Sequence, residues 1–296
     1  MSPQPAIPAG VSPPAPLDTP GLTEMAARIR CDIIEMIHAA GEGHPGGSLS
    51  AADLITALYF RVMRLDPARP DWPDRDRFIL SKGHACPAWY AALIERGILG
   101  REHLTTLRCL GSCLQGHPDM CKTPGIDFTA GSLGHGFSAG LGMALAGRLH
   151  KRDYRVWVII GDGESQEGSI WEAAMAAPNL GLGRLTVIMD RNRIQNDDFV
   201  ERIMPIEPVA DKWRAFGWRV VEIDGHDMAQ IVAALEGVDP DAPRPTFILA
   251  HTTKGKGVSF MENVPAWHGR APNDAEAAQA LAEIRTAAGW EVADVG

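Results

Sequence analysis

Apolar positions recur with helical spacing near the start of the chain. Met25, Ile29, Ile33, Met36 and Ile37 predict a helix over Leu22–Ala40, stopped by Gly41 and Gly43. Ser50-Ala51-Ala52-Asp53 predicts the opening of a second helix to about Arg64, with Ser50 as its N-cap. Arg77–Ser81 has the pattern of a short buried strand, and Ala85–Arg96 is helical again. The segment His135–Lys151 is crowded with Gly136, Ala139, Gly140, Gly142, Ala144, Ala146 and Gly147. A helix so rich in small residues is expected to pack closely on another element.

The clearest unit follows. Arg155–Ile160 is a continuous apolar strand, Gly161-Asp162-Gly163 a turn, Ser169–Ala177 a crossover helix and Leu185–Asp190 a second strand. Strands joined through a helix imply a parallel pair with a right-handed crossover. Val209–Phe216, Arg219–Ile223, Met228–Leu235 and Thr246–Ala250 continue the alternation, and Asp274–Ala288 is a last helix. The pattern predicts an α/β fold with an open, mainly parallel sheet and helices on both faces, forming one domain over residues 21–296. Residues 1–20 carry Pro3, Pro5, Pro8, Pro13, Pro14, Pro16 and Pro20 and few bulky side chains, so a disordered or extended arm is expected there.

Composition narrows the classes. With 45% hydrophobic and 22% charged residues in 296, the chain can bury a large core without covalent staples. The net charge of −9 argues against nucleic-acid or anionic-membrane partners. The longest apolar runs, such as Val156–Ile160, are too short to span a bilayer, and the first residues show no secretory-signal pattern. Five cysteines, an odd and sparse set, suit free thiols and a cytoplasmic setting. Cys109, Cys113, His117 and Cys121 are zinc-ligating types, but their spacing matches no paired pattern and idle thiols are expected.

Candidate chemistry begins with Gly161-Asp162-Gly163 and Asn192, thirty positions after Asp162. Both lie at carboxyl ends of expected strands, where open sheets bind ligands. A carboxylate, an amide oxygen and a main-chain carbonyl beyond it are hard donors of the kind Mg²⁺ takes alongside phosphate oxygens. The spacing resembles the thiamine-diphosphate motif. Four histidines also sit in loops marked by Gly, Pro or Trp: His44, His84, His117 and His268. Imidazoles there can share protons with sugar hydroxyls near neutral pH.

The whole set resembles the transketolase family. GHPGGSLSAAD, DRFILSKGHA, the GHP at 116–118, TAGSLGHG, GDGESQEG, DRNRIQND and AWHG follow that family's order from about Gly21 to the end. They correspond to roughly the first half of a full-length member. The resemblance implies thiamine diphosphate with Mg²⁺ (or Ca²⁺ or Mn²⁺), the metal held by Asp162, Asn192 and the carbonyl of Ile194. It implies Gly163, His84 and His268 at the diphosphate, and Gly131 and Leu133 at the aminopyrimidine. His44 and His117, with His84 and His268, would line the sugar channel, and Glu167 would sit near a dimer centre. It implies transfer of a two-carbon ketol unit between sugars or sugar phosphates. It also implies a second polypeptide that carries the pyrimidine-binding domain, in a heterotetramer with two copies of this chain. Glu164, Glu167 and Glu172 all follow the diphosphate turn, which places them badly to activate the far ring of the cofactor. The competing readings are an α-type subunit of a 2-oxoacid dehydrogenase, a deoxyxylulose-phosphate synthase-like enzyme, or a non-catalytic cofactor-binding subunit.

Overall fold

A computed structural model describes residues 15–290. Five strands form one sheet: β1 (Arg77–Leu80), β2 (Val156–Gly161), β3 (Leu185–Arg191), β4 (Arg219–Asp224) and β5 (Thr246–His251). Their order is β1-β2-β3-β5-β4, and every neighbouring pair is parallel. The expected open parallel sheet is therefore present.

Alternate strand residues point to opposite faces. Phe78, Leu80, Trp157, Ile159, Ile188 and Ile248 join one core, with α1 (Thr19–Ala40), α2 (Pro45–Ala57) and α3 (Cys86–Glu95). Ile79, Val156, Val158, Ile160, Val187 and Phe247 join the other, with α4 (His135–Leu149) and α5 (Gly168–Asn179). The one-turn α6 (Val200–Ile203) and α7 (Val209–Ala215) also lie on that second side, through Val200, Val209 and Trp213. The first face is completed by α8 (Met228–Glu236) and α9 (Asp274–Ala287). Because both faces are covered, the central strands carry unbroken apolar runs (Val156–Ile160, Val187–Met189, Phe247–Ala250), while the edge strand β4 is largely exposed.

The small residues of α4 serve the contact anticipated for them. A Cβ on Gly140 would come within 2.6 Å of Val158 Cγ2, and one on Gly136 within 2.7 Å of Ser81 Oγ. Any side chain there would push the helix off the sheet.

Two expectations need correction. Helix α1 begins at Thr19, three residues before Leu22, because the Asp18 carboxylate caps it by accepting from Gly21 N at 2.9 Å. Leu17 is also tied down, its N–H donating to Phe60 O at 3.0 Å. The arm expected over 1–20 therefore does not extend through Leu17–Pro20, and residues 1–14 lie outside the described residues. Helix α2 begins at Pro45, not at Ser50, and His44 occupies its N-cap position. Ser50 is buried inside it, donating to the Asp190 carboxylate at 2.6 Å. The helix then widens into a π-helical turn over Leu58–Val62.

Candidate active site

Parallel strands place all their carboxyl ends along one edge. The segments leaving β1, β2, β3 and β5 meet there around a cavity of about 350 Å³. Its lining includes His44, His84, Gly131, Leu133, Asp162, Gly163, Glu167, Asn192, Ile194 and His268. Of the site residues named from the sequence, only His117 stands outside that lining. It lies beside it, since a Cβ on Gly131 would meet the His117 ring at 3.6 Å.

The oxygen donors are held from behind. Asp162 is buried, with Oδ1 accepting from Gly163 N at 2.7 Å. Its Oδ2 accepts from Arg191 Nη1 at 3.0 Å and Arg193 N at 2.5 Å. Burial pushes the Asp162 carboxyl pKa up, and the Arg191 guanidinium opposes that shift. Arg191 is itself fixed by Glu201 and Glu207, both at 2.8 Å. Asn192 Nδ2 donates to Ser50 Oγ and to Asp190 Oδ2, each at 3.2 Å. The carboxylate can only accept, so the Asn192 amide must turn its oxygen the other way, towards Ile194 N at 3.2 Å.

The imidazoles form a triangle. His84 and His268 stack with centroids 5.0 Å apart, and His44 meets them edge-on at 5.3 and 5.5 Å. Burial lowers the His44 pKa to about 4 and that of His268 to about 3; it also takes His84 well below its usual value. Nearby Arg108 and Lys254 act in the same direction on His44, and Lys254 on His268. His117 is lowered by burial and by Arg108. At neutral pH these rings are uncharged, each able to donate from one nitrogen and accept at the other. His44 Nδ1 is buried with no partner of its own.

Two cationic contributors were not read from the sequence, and a carboxylate has a role other than the one weighed for it. Lys82 is buried and bridges Asp190 Oδ2 at 2.5 Å and Gly47 O at 3.0 Å. Burial works against the charged Asp190, but Lys82, Ser50 and Thr252 outweigh it and hold its pKa low. Lys254 is buried too, contacting Ile194 O at 2.9 Å and His268 Nδ1 at 2.7 Å. Glu164 is buried among Ser81, Gly134 and Gly161. A signal was available for the lysines: Lys82 and Lys254 each follow a strand end next to glycine.

Glu167, by contrast, is exposed at the start of α5. Cys109 and Cys121 are exposed, Cys113 is half-buried, and no cluster of three His, Cys, Asp or Glu placed for a metal occurs among the described residues. The zinc reading of Cys109–Cys121 is therefore not supported. No helix among the described residues is long and apolar enough to cross a membrane.

The cavity fits the cofactor implied by the motifs. One carboxylate, one amide oxygen and one main-chain carbonyl suit a hard divalent cation. Lys254 is the more telling feature: an ammonium with no carboxylate against it among the described residues, its pKa lowered to about 7 by burial and by Lys82. A buried cation without a carboxylate partner asks for an anion.

Comparison with known proteins decides the family. Residues 22–295 match the transketolase, thiamine diphosphate binding domain model. The chain belongs to the transketolase family. It is 50% identical over 247 residues to a 6-deoxy-6-sulfo-D-fructose transketolase subunit of a Clostridium species, covering 83% of this chain and 90% of that one. It is 44% identical over 252 residues to an apulose-4-phosphate transketolase subunit of Phocaeicola vulgatus, covering 85% and 89%. A Pichia stipitis transketolase in complex with sedoheptulose 7-phosphate superposes with a TM-score of 0.85 at 32% identity, covering 93% of this chain and 41% of that one. The chain thus spans about two fifths of that single-chain transketolase and nearly the whole length of the two bacterial subunits. It is the N-terminal, diphosphate-binding type of transketolase subunit.

Proposed function

We propose that this transketolase subunit supplies the diphosphate and metal half of a ketol-transfer site, completed by a second polypeptide with the pyrimidine-binding domain. The observation that carries the reading is the convergence on one cavity of Asp162, Asn192 and Ile194 O, a Lys254 with no carboxylate against it among the described residues, and three neutral imidazoles. The oxygens would hold Mg²⁺, with Ca²⁺ or Mn²⁺ as substitutes. Lys82, Lys254, Gly163, His84 and His268 would hold the diphosphate, and Gly131 and Leu133 the aminopyrimidine side.

Thiamine diphosphate, when bound, supplies the nucleophilic carbon that cleaves a ketose and passes on two carbons. The chain's own residues do the rest. His44 and His117 would bind the C1 hydroxyl and carbonyl of the donor, with His84 and His268 beside them, and would move protons at those oxygens. The substrate would be a ketose and an aldose with an anionic end, phosphate or sulfonate, by analogy with the sulfofructose and apulose-phosphate enzymes.

A partner is needed because the far ring of the cofactor requires an acid that Glu164 and Glu167 do not provide. Glu164 is buried on three hydrogen bonds, and Glu167 follows the diphosphate turn. Exposed Leu149 on α4, Met175 on α5, and Ile203 and Met204 around α6 supply apolar surface for association. The expected assembly is two copies of this chain with two of the partner, and the free thiols suit the cytoplasm.

The test is turnover. The full chain with thiamine diphosphate and Mg²⁺ should show no ketol transfer alone and recover it when the pyrimidine-domain polypeptide is added. Robust transfer by the chain alone would refute the divided site.

A further inference from the structure

The Glu164 carboxylate joins three segments of the cavity wall. Its Oε1 accepts from Ser81 Oγ at 2.5 Å and from Gly134 N at 2.8 Å, and its Oε2 accepts from Gly161 N at 2.9 Å. Ser81 follows the last residue of β1, Gly161 is the last residue of β2, and Gly134 precedes the first residue of α4. Glu164 itself stands in the short helical turn after Asp162, so its side chain reaches from the diphosphate turn to the loop 131–134. It is 3% exposed and pairs with no cationic side chain within salt-bridge distance among the described residues. Three of its about four acceptor positions are taken by these three elements. Burial raises its pKa, and the three donors work against that rise.

Gly134 has a φ of +79°, so the loop turns sharply just where Glu164 grips it. Gly131 and Leu133 on that loop face the cavity. The bond to Gly134 therefore sets how far these two stand from the turn at Asp162 and Gly163.

We propose that Glu164 is a positioning residue that fixes the distance between the diphosphate turn and the ring-contacting loop 131–134, and so selects for a diphosphate that carries its organic rings. The inference rests on the cofactor reading above. Glu164→Gln keeps the size but replaces one accepting oxygen with a donating NH₂. Either Gly161 N, or Gly134 N together with Ser81 Oγ, then loses its acceptor.

The experiment is calorimetric titration of the assembled enzyme, this chain with its pyrimidine-domain partner, with two probes in Mg²⁺: thiamine diphosphate and inorganic diphosphate. For Glu164→Gln the affinity for thiamine diphosphate should fall about tenfold or more, as expected for one unmade buried hydrogen bond to a charged group, while inorganic diphosphate should change less than about twofold. A purely architectural role would weaken both probes alike, and that result would overturn the inference, as would no loss for either. Should Glu164→Gln fail to fold, Ser81→Ala removes one of the three donors; the same selective loss, smaller in size, supports the inference, and equal losses overturn it. The wild-type titration tests the cofactor reading separately. No binding of thiamine diphosphate there overturns both, whereas wild-type binding with equal losses in the variant overturns the positioning role alone.

Discussion

Lys254 Nζ donates to the carbonyl oxygen of Ile194 at 2.9 Å, which sets a buried cation on an oxygen that the motifs assign to a metal. Two positive centres cannot share that oxygen comfortably.

The same residue gives the chain a signature in pH. The Lys254 pKa falls from 10.5 to about 7 on folding. Between those values the unfolded chain binds the extra proton, so stability rises with pH across that window, at most by ~1.4 kcal/mol per pH unit for one proton. Below about pH 7 the ammonium is charged in both states and its burial weakens the fold. Denaturant unfolding from pH 7 to pH 9 should show the rise in the wild type and a flatter profile in Lys254→Met. Identical profiles would remove Lys254 as the source.

The histidines act in the same sense over a lower window. His44 and His268 drop from 6.5 to about 4 and about 3, so they stay neutral in the fold while the unfolded chain takes up protons. Their contribution is complete above pH 6.5 and is lost as pH falls towards 4 and then 3. Melting temperature followed from pH 7.5 to pH 4 should drop less steeply in His44→Gln than in the wild type. A parallel drop would show that other groups carry the acid lability.

His117 and His268 should separate in kinetics. His117 stands beside Gly131, outside the imidazole triangle, whereas His268 contacts Lys254 at 2.7 Å. In the assembled enzyme His117→Ala should lower kcat/KM for the ketose by about tenfold or more with cofactor affinity nearly unchanged. His268→Ala should weaken thiamine diphosphate as well. A pure cofactor defect in both variants would contradict the assignment of His117 to the sugar channel.

Much of this architecture was legible because apolar periodicity and the Gly161-Asp162-Gly163 to Asn192 spacing are local signals. The strands appear within a residue or so of their expected bounds. The start of α2 was not legible, for a physical reason. Gly46 and Gly47 look like loop, yet a Cβ on Gly46 would meet Trp267 O at 2.8 Å, and one on Gly47 would meet Lys82 Nζ at 3.3 Å and His84 Nε2 at 3.4 Å. These glycines let the helix start beneath the cluster, which only the tertiary packing reveals. The roles of Lys82, Lys254 and Glu164 escaped notice because they lie in burial, and nothing in SKGH, TKGKG or GDGES distinguishes a buried charge from a solvated one.

The central claim is that this cavity holds thiamine diphosphate through a metal anchored on Asp162. The most direct measurement is calorimetric titration of thiamine diphosphate into the enzyme assembled with its pyrimidine-domain partner in Mg²⁺, repeated with excess chelator and with Asp162→Ala. Saturable binding in the wild type, lost in both controls, is the expected result. Binding of equal strength in Asp162→Ala, or no binding by the wild-type assembly, would contradict it.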